Sequence, residues 1–197
     1  MQFFFLGFIS VALAAAVAQG ETNPASNAPA ALASGTNNLE QEALDKIMRE
    51  DDAAMDQVDS WIRENNAFAA HGAGESRQDL NRRIRARLQL VRQAYEGFLK
   101  QHPTNAAAYL AYGSFLEDIG DEDGASAQYE KSRKLDPRNP AVWNDLANYY
   151  GENGPVTNAF AYYAKAVELN PSEPVYYENW ATTVYLFRKD AREFYHI

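Results

Sequence analysis

The sequence predicts an all-α fold: N-terminal helices followed by a ladder of paired helices. Three observations carry this. Apolar residues recur at spacings of three and four through most of residues 39–197, the period of a helix that buries one face. From residue 106 the chain repeats itself without a gap every 34 residues, the mark of a stacked-repeat architecture. Cysteine is absent while 46% of residues are apolar, so packing alone must hold the fold.

Composition narrows the function. A net charge of -9 argues against a nucleic-acid binder, which needs a broad basic surface, and against a protein of anionic membrane surfaces. The lack of cysteine excludes disulfides, a cysteine nucleophile and a thiolate metal site.

Residues 1–18 are expected to be a signal peptide. Phe3 to Leu13 supply its apolar core, Ala16-Val17-Ala18 is a small-x-small cleavage site, and Gln19 would be the new N-terminus. The run is shorter than the roughly 20 apolar residues a membrane span needs. An exported protein, periplasmic or secreted, without stable membrane insertion after cleavage, is the expectation. Residues 19–38, QGETNPASNAPAALASGTNN, are poor in core-forming residues and are expected to be a disordered linker.

Residues 39–105 should form N-terminal helices. Leu44, Ile47, Met48, Met55, Val58, Trp61 and Ile62 mark one long helix, or two joined near Asp51-Asp52, over Leu39 to Glu64. It holds nine acidic and three basic residues, net -6. Ala67 to Glu75 reads as a break. Leu80, Ile84, Leu88, Val91, Tyr95 and Phe98 then mark a helix of net charge +5, with Arg82, Arg83, Arg85 and Arg87 clustered along it. Opposite charges on neighbouring helices predict antiparallel packing of complementary faces. Exposed pairs contribute only about 0–1 kcal/mol each, so they set orientation more than stability.

Residues 106–139 and 140–173 are the two complete units, and a third starts at Pro174. Tyr109 matches Trp143, Gly113 matches Ala147, Ala125 matches Ala159, Tyr129 matches Tyr163, and Pro137 matches Pro171. Gly113, Ala147, Ala125 and Ala159 lack bulk, which lets paired helices approach. Tyr129, Trp143, Tyr150 and Tyr163 fill the larger holes. Pro137 and Pro171 follow helix ends, because Pro cannot continue a helix. Asp121-Glu122-Asp123-Gly124 lies where a second helix starts, where negative charge is favourable, and lacks the alternating ligands of a calcium loop.

This pattern of aromatic, small, large, Ala, aromatic, small and Pro resembles the tetratricopeptide repeat. Tyr112, where Leu is usual, and Pro155, in the inter-helix turn, depart from it. Tyr95, Phe98 and Pro103 match the second half of a unit one period earlier, so residues 39–105 include a half repeat. The resemblance implies a right-handed α-α superhelix with N-terminal helices, and non-catalytic binding of a protein or peptide along the concave face of its first (A) helices. Its inward positions fall here on Ala107, Leu110, Ser114, Glu117 and Asp118; on Ala141, Asn144, Asn148, Gly151 and Glu152; and on Val175, Glu178 and Thr182. An amide both donates and accepts, so Asn144 and Asn148 suit the backbone of an extended peptide. Glu117, Asp118 and Glu152 favour a basic segment. The basic residues with which some members of this family grip acidic C-termini are missing from these positions.

No catalytic residue, cofactor or metal is expected. His71, His102 and His196 lack a metal-helix spacing, and no nucleophile elbow or glycine-rich phosphate loop occurs. A purely structural segment of a longer repeat protein is the alternative to a binding scaffold, with an unidentified enzyme behind both. The third unit is incomplete, so the apolar face of its first helix, with Trp180, Val184 and Phe187, should stay exposed or self-associate. Residues 106–197 are thus read as repeats of a solenoid of which the chain holds only part.

Overall fold

The computed structural model of the chain describes the backbone of residues 29–197 and the side chains from Asn38 onward. The expected signal peptide over residues 1–18, and the expected linker up to residue 28, lie outside the described residues. The chain divides into two units, Met1–Asn38 and Leu39–Ile197, and the second contains the repeats.

Eight helices and no strand occur among the described residues. The first, α1, runs Pro29–Ala69 and so begins inside the segment expected to be a linker. Proline suits the first turn of a helix, and the alanines that follow have the highest helix propensity. The helix passes unbroken through Asp51-Asp52, so the alternative of two joined helices falls away. Leu44, Ala54 and Val58 are buried along it at helical spacing.

The second helix, α2, spans Arg77–Gln101, three residues earlier than its first apolar position. Ser76 caps it by accepting from the Asp79 amide, which satisfies one of the free donors of the first turn. The expected charge complementarity of α1 and α2 is narrower than the sequence suggests. It comes down to Arg87, which donates to Gln57 Oε1 at 2.7 Å and pairs with Glu50 at 2.8 Å, and to Arg83 stacked over Trp61 at 4.2 Å. Arg83 and Arg82 also pair with Glu75 and Asp79 near the start of their own helix.

The repeats follow as pairs. The first is α3 (Ala106–Asp118) with α4 (Glu122–Leu135); the second is α5 (Pro140–Asn153) with α6 (Val156–Leu169). Asn105, Asp121 and Asn139 cap α3, α4 and α5 with side-chain oxygens. Pro155 opens α6 with no side-chain cap bond, which is the cost of its departure from the family pattern. Gly120 turns the chain between α3 and α4 at φ 78°, a conformation that disfavours any residue with a Cβ.

Between paired helices the small residues do what their size allows. A Cβ on Gly113 would run into the ring of Tyr129, so glycine is what lets α3 and α4 close on one another. Tyr129 and Tyr163 are 1% and 2% exposed, and Ala147, Ala159, Phe160 and Ala166 are fully buried. Trp143 donates to the Pro137 carbonyl at 2.9 Å, and Tyr177 donates to the Pro171 carbonyl at 3.1 Å. Each such aromatic ties the start of one unit to the turn that ends the unit before.

The third unit starts as expected with α7 (Pro174–Leu186). A last helix, α8 (Arg188–Tyr195), follows with only Phe187 between them. It packs on α6 through Phe194 and Tyr195, whose rings lie 5.4 and 5.6 Å from that of Phe160. Sequence analysis did not place this helix. Trp180 and Val184 are half-buried, not fully exposed as expected, because α8 brings Tyr195 against Trp180. Tyr177, Tyr185, Leu186 and Phe187 remain exposed.

Candidate protein-binding face

The site grows out of a ladder of buried tyrosines. Tyr95, Tyr129 and Tyr163 stand 34 residues apart on α2, α4 and α6. A buried phenol needs a partner for its hydroxyl. Each reaches across to the preceding helix: Tyr95 donates to Asp51 at 2.9 Å, Tyr129 to Glu117 at 2.6 Å, and Tyr163 to Asn148 at 2.7 Å. The tyrosine ladder therefore extends the helix-pair arrangement to α1 and α2, with α1 in the place of a first helix. It also fixes one polar group on each of α1, α3 and α5.

Further carboxylates gather beside these. Asp118 feels Asp52, Glu117 feels Asp118, Glu152 and Glu122, and Asp145 feels Glu117. The result is a continuous acidic strip drawn from α1, α3 and α5. Asp51, Glu117, Asp118, Asp145 and Glu152 resist ionisation. Burial pushes Asp145 up to about 7, with Glu117 adding repulsion and the Asn144 amide opposing it. Burial likewise lifts Asp51 to about 6; the Tyr95 hydroxyl opposes this, and Asp118 and Asp52 reinforce it. Glu117, Asp118 and Glu152 are also raised, each chiefly by partial desolvation of its carboxyl although the residue as a whole stays exposed. The Tyr129 hydroxyl opposes this at Glu117, and neighbouring carboxylates reinforce it at all three. A bound cation would relieve the repulsion and favour the ionised form of each.

The candidate groove residues divide in three. Glu117, Asp118, Glu152 and Glu178 are exposed, while Ser114 and Asn148 are half-buried at the same face. Asn148 spends its carbonyl on Tyr163 and keeps its amide hydrogens for another acceptor. Leu110 is half-buried and packs against the core. Asn144 is 6% exposed; it donates to Asp145 at 3.1 Å and accepts from Asn179 at 3.1 Å. It joins α5 to α7 and offers little to a ligand. Sequence reasoning missed Asp51, Asp52 and Asp145. The signal for Asp51 was its place on a helix paired with the Tyr95 helix, but α1 carries no repeat register to reveal it. Asp145 lies at a position the repeat pattern does not assign to the groove.

Among the described residues no group of three His, Asp or Glu side chains could hold a metal ion, and no helix is long and apolar enough to cross a membrane. Two cavities lie away from the strip, one at α7 and one among Arg77, Gln78, Asn81, Arg82 and Arg85 of α2.

Stacked α-hairpins with small residues at each crossing define a repeat protein of the all-α solenoid class. Family models of the tetratricopeptide repeat match residues 106–149 and 140–173, and these residues are tetratricopeptide repeats. Such repeats generally serve as scaffolds for protein interaction. Among solved structures, one described as the crystal structure of MamA is 15% identical, covering 82% of this chain and 87% of that chain with a TM-score of 0.48. No curated protein matches the chain.

Proposed function

We propose that this chain is a non-catalytic scaffold whose A-helix face binds an extended, basic segment of another protein. The observation that carries the reading is the strip of carboxylates on α1, α3 and α5, held in charge-unfavourable surroundings that a Lys or Arg side chain would relieve. Asn148 adds free amide donors for the backbone of such a segment. Glu117, Asp118 and Glu152 are the residues open to contact it. The test is fluorescence anisotropy of labelled peptides at neutral pH and low salt. A Lys/Arg-rich peptide should bind, with affinity falling as salt rises, and an acidic peptide should not. Asp118→Lys with Glu152→Lys should abolish the difference between the two. Equal binding of both peptides to the unaltered chain would count against the reading.

We also propose that the chain is exported and cleaved after Ala18, on the strength of the apolar run and the Ala16-Val17-Ala18 site. N-terminal sequencing of the mature protein should begin at Gln19; an N-terminus at Met1 would overturn it.

A further inference from the structure

Helix α2 has 25 residues, against 13 in α3 and 14 in α4. Its last turns carry Tyr95 and Phe98 into the repeat core, and Arg92 donates to Asp121, in the turn between α3 and α4, at 2.9 Å. Residues 77–91 therefore run past that turn for about 20 Å, at about 1.5 Å per residue. Helix α1 accompanies them. Tyr95 meets its Asp51, and Arg87 and Arg83 meet its Gln57 and Trp61 further out. Val58 and Leu80 are buried along this two-helix arm, and near its tip Asn65 accepts from the Glu75 amide at 2.6 Å.

The arm carries a stripe of arginines. Gln78, Arg85 and Arg92 stand seven residues apart on one face of α2, with Arg82 and Gln89 beside them. Arg83 and Arg87 turn to the other side, where Glu75, Glu50 and Gln57 already hold them. At the base of the stripe Arg92 takes a carboxylate, which states what the stripe accepts. Further out, Arg77 and Arg85 have no ion pair among the described residues, and Arg82 has only Asp79 of its own helix. These three arginines are exposed, and with Gln78 and Asn81 they line an open cleft of about 610 Å³. The acidic strip is the counterpart: Glu117, Asp118 and Glu152 are exposed and have no basic partner among the described residues.

We propose that the arginine stripe of one copy of this chain docks on the acidic strip of a second copy. The inference rests on the reading of the strip as a receiver of basic groups, and it adds a source of those groups that the chain itself carries. The two surfaces differ, so each copy offers its strip to one neighbour and its arm to another, and growth continues past a dimer. Exposed ion pairs are individually weak and are screened by salt, so the assembly is reversible. A basic segment of another protein competes with the arm for the strip.

Sedimentation velocity of the full chain at low salt tests this. The weight-average coefficient should rise with concentration beyond that of a dimer and fall as salt is added. Arg82→Glu with Arg85→Glu should raise the concentration needed for association about tenfold or more, and so should Asp118→Lys with Glu152→Lys, each shown to be folded by circular dichroism. Mixing the two altered chains should restore association, because each keeps the surface that the other has lost. The proposal is overturned by an unaltered chain that stays monomeric or stops at a dimer, by variants that associate like the unaltered chain, or by a mixture of folded variants that stays monomeric. A labelled Lys/Arg-rich peptide separates this outcome from the reading beneath it, since the chain with Arg82→Glu and Arg85→Glu should bind it as the unaltered chain does. Peptide binding by a chain that never associates overturns the docking of copies alone; loss of both overturns the two together.

Discussion

The second and third units present the same first-helix surface and treat it differently. In α5 the surface meets a 14-residue helix set across it, and Leu146 and Ala147 are sealed. In α7 the equivalent surface meets the last residues of an 8-residue helix that leans on α6, and Trp180 and Ala181, the counterparts of Leu146 and Ala147, are half-buried and exposed respectively. What differs is the turn between the helices. Gly154 and Pro155 separate α5 from α6, whereas Phe187 alone separates α7 from α8. Register on one helix is therefore not sufficient for a closed unit; the partner must also start at the right place.

The comparison can be broken most forcefully at the aromatic rings. Tyr163→Ala opens a cavity between α5 and α6 and should cost about 3–5 kcal/mol, whereas Tyr195→Ala should cost about 1 kcal/mol or less. Urea unfolding of both variants would show it, and equal losses would mean that the third unit is as well closed as the second.

The small residues give the next largest contrast. Gly113→Leu drives a side chain into Tyr129 and should cost about 2 kcal/mol, while Ala181→Leu at the same repeat position should shift stability by about 0.5 kcal/mol or less. Thermal melts of the pair sharpen the comparison to a single site.

The carboxyls come third. Asp51 and Asp145 have folded pKa values raised from 3.8 to about 6 and about 7, so their contribution to stability is present below pH 3.8 and is lost as pH rises through about 7. Asp145→Asn should flatten this slope and stabilise the chain on the order of 1–2 kcal/mol at alkaline pH. Unfolding measured across that range checks it; a slope of opposite sign in the unaltered chain would contradict the assignment. A loss of about 1 kcal/mol is expected for Tyr129→Phe, which removes the hydrogen bond to Glu117 but keeps the packed ring.

Much of this was readable beforehand. The 34-residue period and its small and large positions located α3 to α7, because Gly113, Ala147, Tyr129 and Tyr163 are constrained by how closely helices can pack. Tyr95 announced its helix as an earlier unit for the same reason. Helix α1 was harder: its apolar positions show that it is a helix, but Asp51 becomes meaningful only when Tyr95 is seen reaching it. Asp145 was illegible because its chemistry comes from burial beside Glu117, on another helix, which no local pattern encodes. Helix α8 was missed because RKDAREFY reads as a charged surface segment, and its value lies in where Phe194 and Tyr195 land on Phe160. Asn144 was placed in the groove by register, yet Asp145 and Asn179 claim its amide.

The central claim is that the acidic strip receives a basic segment, and one titration tests it most directly. A Lys/Arg-rich peptide is added to the isotopically labelled chain at pH above and below the range in which Asp51 and Asp145 ionise, and the shifts are mapped by nuclear magnetic resonance. The account predicts shifts at Asp52, Glu117, Asp118 and Glu152 that are large at the higher pH and fade at the lower. Shifts confined to α2, α4 and α6, or a response that does not change with pH, would contradict it.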